Sequence, residues 1–221
     1  MEFDTTLVKF CERKLYPNRP EYLNCVTALY VTYVAYKGLQ NKGLSKNAEF
    51  IFWSIGINGI CSFLFHYTAI YLFKLFDEFT MIVPLWIGVN SLLHDLGYLG
   101  IYMALLNIYN STLLVLDIFP WFDDFFPIAL AVELLFLIPL CYQLSVMRHS
   151  LINQDRRMSR LGLHGILISS ASGAIWFLTE LNCNKYMIIG HPIWHIGMST
   201  GMSYIVNFCN DETKYIKQKR A

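Results

Sequence analysis

Apolar residues in this chain of 221 gather into runs long enough to cross a bilayer, and that blockiness restricts the fold more than any single motif does. A crossing helix needs roughly 17–25 predominantly apolar residues. Stretches near 23–39, 47–67, 70–91, 95–117, 126–146, 161–180 and 186–208 qualify. In lipid the backbone must satisfy its own hydrogen bonds, which a helix does and an irregular segment does not. The expected fold is therefore all-α: a polytopic seven-transmembrane-helix bundle, with residues 1–221 as one domain. A content of 55% hydrophobic and only 15% charged residues excludes an ordinary soluble domain. The boundary between 70–91 and 95–117 rests on Ser91-Leu-Leu-His-Asp95, which is barely polar, and merging the two would leave six crossings.

The N-terminus, Met-Glu-Phe-Asp-Thr-Thr-Leu, is acidic and lacks the short apolar core of a removable signal peptide, so the first crossing is expected to direct insertion. With seven crossings, one side collects Lys9, Arg13, Lys14, Arg19, Lys74 and Lys185. The other collects Lys37, Lys42, Lys46, Arg148, Arg156, Arg157, Arg160 and the basic tail from Lys214 to Arg220. The excess on the second side makes it cytosolic by the positive-inside tendency, which leaves the N-terminus lumenal or external. A formal net charge of +1 gives no sign of a nucleic-acid partner.

Ionisable residues inside such spans are costly and mark partners, cavities or functional sites. His191 and His195 lie four apart, on one face of a helix, as do Ser62 and His66. In the expected topology Ser62 and His66 reach the lumenal end of one helix. Asp77 and Glu78 start the next helix down, and His191 and His195 start the last. All of these groups then share one depth. Three imidazole nitrogens suit a zinc-like ion and leave a fourth position for water, the pattern of catalytic zinc. Such an ion favours hydrolysis. Asp77 could accept the water proton or orient a ligand imidazole and Ser62 could donate to the developing oxyanion, or the two could exchange roles. Haem would need opposed axial ligands, and di-iron bundles a Glu-x-x-His spacing that the spans lack.

The run Gly59-Ile-Cys-Ser62-Phe-Leu-Phe-His66, then Leu75-Phe-Asp77-Glu78-Phe-Thr-Met81, then His191-Pro-Ile-Trp194-His195, resembles the alkaline ceramidases. These are seven-helix membrane amidases within a wider hydrolase superfamily that includes adiponectin-receptor-like and Per1-like proteins. The serine, histidine, aspartate and paired histidines are common to much of that superfamily; the Asp-Glu-x-x-Met extension and Trp194 point to the ceramidases. Phe10-Cys11-Glu12 and Glu21-Tyr-Leu-Asn24 look like that family's N-terminal elements. The resemblance implies zinc (Zn2+) held by His66, His191 and His195, with Ser62 and Asp77 at the catalytic water and a ceramide-like lipid as substrate. It implies residence in the endoplasmic reticulum or Golgi, and it supports a disulfide between Cys11 and Cys183, both on the lumenal side.

The family also places calcium near the N-terminus. Here Lys9 and Lys14 stand where an aspartate and an asparagine belong, and two ammonium groups repel a hard dication, so calcium is not expected. The segment from Cys183 to His191 is shorter than the family's. Cys25, Cys61, Cys141 and Cys209 read as apolar thiols. Ser145 with His149, His94 with Asp95, and His164 fall at cytosolic helix ends and are read as interfacial. Glu133 and Glu180 sit in or at the end of apolar helices, and Glu180 is close enough in the topology to reach the site. Two other functions fit the same residues: a lipid-binding receptor or scaffold with a structural zinc, and an esterase or phospholipase of the same superfamily.

Overall fold

In a computed structural model of the chain, the described residues are 10–96 and 156–220, with helical positions at 108–109, 111–112 and 115–116. Their regular structure is all helical, without strands. A short α1 (Cys11–Leu15) is followed by α2 (Tyr22–Leu39), α3 (Lys46–Thr68) and α4 (Tyr71–Leu96). Beyond the undescribed stretch come α5 (Arg156–Leu181), a 3-10 turn (Met187–Ile189) and α6 (Gly190–Arg220). The expected crossing at 126–146 and the residues Lys9, Glu133, Cys141, Ser145 and His149 lie outside the described residues.

Local chemistry explains two of the helix starts. The Ser45 hydroxyl accepts from the Ala48 N–H and caps α3. Pro192 falls in the first turn of α6, where its missing N–H has no intrahelical partner to lose. Other limits differ from expectation. The predicted break at 91–95 is absent: α4 runs to Leu96, because that segment has neither glycine nor proline and its leucines continue the apolar helix. The last helix begins at Gly190, after the 3-10 turn, and continues through the charged tail to Arg220, whose residues are good helix formers.

Among the described residues, α3 and the Leu161–Leu181 part of α5 are long and apolar enough to cross a membrane. The distribution of polarity supports a lipid setting. Val26, Tyr36, Trp53, Ile57, Leu178 and Leu181 point outward, while Asn24, Ser62, His66, Asp77, Ser172 and Ser199 are buried. A water-soluble protein favours the reverse. Helix pairing relies on small residues: a methyl on Gly165 would meet the Gly201 carbonyl oxygen at 2.7 Å, and one on Gly201 would run into Ser169, so α5 and α6 pack backbone to backbone. Gly59 likewise leaves room for Thr32 and Ala28 of α2.

The apolar core, with Val31, Ala35, Ile51, Phe52, Ile55 and Val206, joins α2, α3 and α6 at one end of the bundle. His66 is fourteen residues beyond Phe52 along α3, roughly 21 Å away at the helical rise. The polar residues therefore collect at the other end. There α3 ends with Ala69 in the left-handed conformation (φ 58°), and two residues later α4 starts back alongside it. That tight reversal brings Asp77 level with Asn58 and Ser62.

Candidate metal centre

His66, His191 and His195 are all buried, and their ligand atoms lie within 4.8 Å of one another. The ring centroids are 4.9 Å apart for His66 and His191, 5.2 Å for His66 and His195, and 4.7 Å for His191 and His195. Helical periodicity puts the last two on one face of α6. The third comes from the C-terminal end of α3, one turn beyond Ser62.

For His66 and His195 the outer hydrogen bonds indicate which ring nitrogen is left for an ion. His66 Nδ1 is 2.5 Å from Glu21 Oε2, and its Nε2 is buried without a hydrogen-bond partner. His195 Nδ1 is 2.9 Å from Thr27 Oγ1, whose single proton goes to the Leu23 carbonyl at 2.9 Å. In that arrangement the hydroxyl oxygen accepts, which corresponds to the tautomer with the proton on Nδ1 of His195 and a lone pair on Nε2. His191 Nδ1 is buried and 3.9 Å from Glu180 Oε1, a charge neighbour beyond hydrogen-bonding distance. Three converging imidazoles, two of them oriented from behind by a carboxylate and a hydroxyl, fit a zinc-like ion and its supporting shell.

Asp77 lies beside this cluster, in electrostatic contact with His191 and close to Ser62. Asn58 Nδ2 donates to its Oδ1 at 3.0 Å and to its main-chain carbonyl at 2.8 Å. Both Asp77 and Ser62 are buried. Glu78 turns away from Asp77 and pairs with Lys74 one helical turn earlier. Lys74 is itself 1% exposed within α4, so it is not the loop charge that the topology count supposes.

The N-terminal segment closes the centre from above. The Phe10 ring packs edge-on against His191 at 4.1 Å, and Trp176 packs against the same imidazole while stacking on Trp194 at 5.2 Å. A Cys11–Cys183 disulfide fastens α1 to the link between α5 and α6. The Cys11 N–H donates to Glu180 at 2.9 Å, and Lys14 lies 3.7 Å from the same carboxylate. Glu12 accepts from the Leu23 and Asn24 N–H groups at the start of α2, where free donors and the helix dipole favour a carboxylate.

A family model described as Ceramidase matches residues 3–220, nearly the whole chain. The chain belongs to the ceramidase family. A search of curated proteins returns no match. Membership implies a membrane-associated hydrolase acting on the amide bond of a lipid, and the three buried histidines can hold a metal ion.

No local signal in the sequence links several groups around this ceramidase-family centre to the histidines. Glu21, Thr27 and Arg13 come from segments far from the histidines they serve, and no spacing rule connects them. Burial alone would push the Glu21 carboxyl up, yet the fields of His66 and Arg13 and the hydrogen bonds from His66 and Asn24 hold it below its ordinary value. Two acidic groups of the N-terminal elements are engaged by donors of the chain itself, Glu12 by backbone N–H groups and Glu21 by Arg13, Asn24 and His66.

Proposed function

We propose that this protein is a zinc-dependent membrane amidase that hydrolyses the N-acyl bond of ceramide or a close relative, releasing a sphingoid base and a free fatty acid. The observation that carries the reading is the convergence of His66, His191 and His195 beside the Ser62–Asp77 pair, in a chain matched to the ceramidase family almost end to end. His66, His191 and His195 would hold the ion, which supplies a polarising charge and water activated near neutral pH.

The chain's own groups complete the chemistry. Asn58 fixes Oδ1 of Asp77, and the carboxylate takes the proton released by the attacking water and returns it to the amide nitrogen as the C–N bond breaks and the amine departs. The Ser62 hydroxyl donates to the acyl oxygen as negative charge develops on it. Phe10, Trp176 and Trp194 exclude bulk water around His191, which strengthens every charge interaction in the site. The outward apolar faces of α3 and α5 support lateral entry of an acyl chain from the bilayer. The Cys11–Cys183 bridge supports an oxidising, lumenal position for this end of the molecule, within the endoplasmic reticulum or Golgi.

The test is zinc content and fatty-acid release from a panel of ceramides, measured on one detergent-purified sample, with Asp77→Asn as control. The variant keeps its size and an acceptor for Asn58, so it should retain zinc while release falls about 10²–10⁴-fold, the usual worth of a positioned base. Full release from Asp77→Asn would remove Asp77 from the mechanism. Zinc without release from any ceramide would move the assignment to another lipid amide or ester, or to a receptor-like binding role.

A further inference from the structure

We infer that Arg13 is a positioning residue for the metal centre: its guanidinium, fixed between the Glu21 carboxylate and the His66 main chain, holds the His66 imidazole in its metal-binding orientation. The inference rests on the metal reading above.

Four contacts form a closed ring. His66 Nδ1 meets Glu21 Oε2 at 2.5 Å, and Glu21 Oε1 receives Arg13 Nε at 3.1 Å. Arg13 Nη2 then donates at 2.9 Å to the main-chain carbonyl of His66 itself. The Glu21 N–H donates to the same carbonyl at 3.1 Å. One guanidinium therefore secures both the partner of the His66 ring and the backbone from which that ring projects. A planar fork with several donors can do this, whereas a single ammonium reaches one acceptor well and the other poorly.

Burial makes the arrangement consequential. The side chains of Glu21 and Arg13 are 2% and 11% exposed. A carboxylate taken that far from water is costly without a counter-charge. If Arg13 were removed, Glu21 would retain, among the described residues, Asn24 Nδ2 and the imidazole as side-chain donors. The carboxylate would then turn toward solvent or distort its bond to the ring. The site of the cation is also favourable, because the His66 carbonyl belongs to the last turn of α3, where free carbonyls and the helix dipole attract positive charge. Residues 10–15 thus carry the cation that organises these oxygens. They hold it in place through the Cys11–Cys183 bridge and the Glu180 contact.

The experiment compares wild type, Arg13→Ala and Arg13→Lys, purified in detergent and loaded with zinc. Release of zinc to a chromogenic chelator is followed alongside helix content and the integrity of the disulfide. Loss of a supporting partner typically weakens metal binding by 10–100-fold, and Arg13 acts one bond further out, so about tenfold faster release is expected for Arg13→Ala. Arg13→Lys should fall between that variant and wild type. Millimolar guanidinium should slow release from Arg13→Ala, a rescue that a purely structural role of the side chain would not produce. Wild-type release from Arg13→Ala, with no guanidinium effect, would overturn the inference while leaving the metal reading intact. Should Arg13→Ala not accumulate as folded protein, Arg13→Lys decides: faster release supports the inference and unchanged release refutes it. Absence of zinc from correctly folded wild type would remove the metal reading itself, and this inference with it.

Discussion

Breaking the Cys11–Cys183 bridge should both destabilise the protein and loosen its metal centre. The bridge spans 172 residues of sequence. A cross-link of that length restricts the unfolded chain by about 17 cal/mol/K on the loop-closure relation, or about 5 kcal/mol at room temperature. That is a ceiling. Helices in detergent or lipid persist after tertiary structure is lost, so the effective flexible loop is shorter and about 3 kcal/mol is the working figure. For a chain of this size the loss corresponds to roughly 6–12 °C in melting midpoint. The assay is thermal unfolding in detergent followed by tryptophan fluorescence, comparing oxidised protein with protein reduced under conditions where thiol titration proves cleavage. Trp176 and Trp194 stack beside His191, so the same signal reports on the centre. Release of α1 also removes the Cys11 N–H from Glu180 and frees Arg13 from Glu21, so the zinc proposed for this site should dissociate faster from the reduced form. Identical midpoints and identical zinc release after proven cleavage would refute the view that this bridge stabilises the bundle and anchors α1 over the histidines.

Two further outcomes follow from single contacts. Thr27→Val keeps the side-chain shape but removes the oxygen at His195 Nδ1; zinc affinity measured by chelator competition should fall about tenfold, and an unchanged affinity would mean that the hydroxyl does not orient the ring. Gly201→Ala places a methyl against Ser169 and the Gly165 carbonyl, so α5 and α6 must separate; a loss of about 1–3 kcal/mol is expected by chemical denaturation, and a fully stable variant would show that the helices do not pack through this glycine contact.

Helical periodicity alone relates His191 to His195 and Ser62 to His66, because residues four apart share a helix face wherever the helix lies. Apolar length places α2 and α3 within a residue or two of their observed limits. It fails where the signal is weak, at Ser91–Asp95, since a slightly polar sequence without a helix breaker can turn or continue equally well. Lys74 misleads for a related reason: its charge reads as solvent-facing, yet Glu78 one turn away lets it remain buried.

Residue type and spacing, then, were enough to determine an all-helical chain with apolar spans, the likeness to ceramidases and the three histidines that could share an ion. Those properties depend on the composition of a run or on a helix period, and both are local. The support behind the His66 and His195 imidazoles was decided only by tertiary structure. Glu21 reaches His66 across 45 residues, Arg13 reaches its carbonyl across 53, and Thr27 reaches His195 across 168. Contacts between such distant segments exist only after α1, α2, α3 and α6 have packed, because it is packing that brings them within hydrogen-bonding distance.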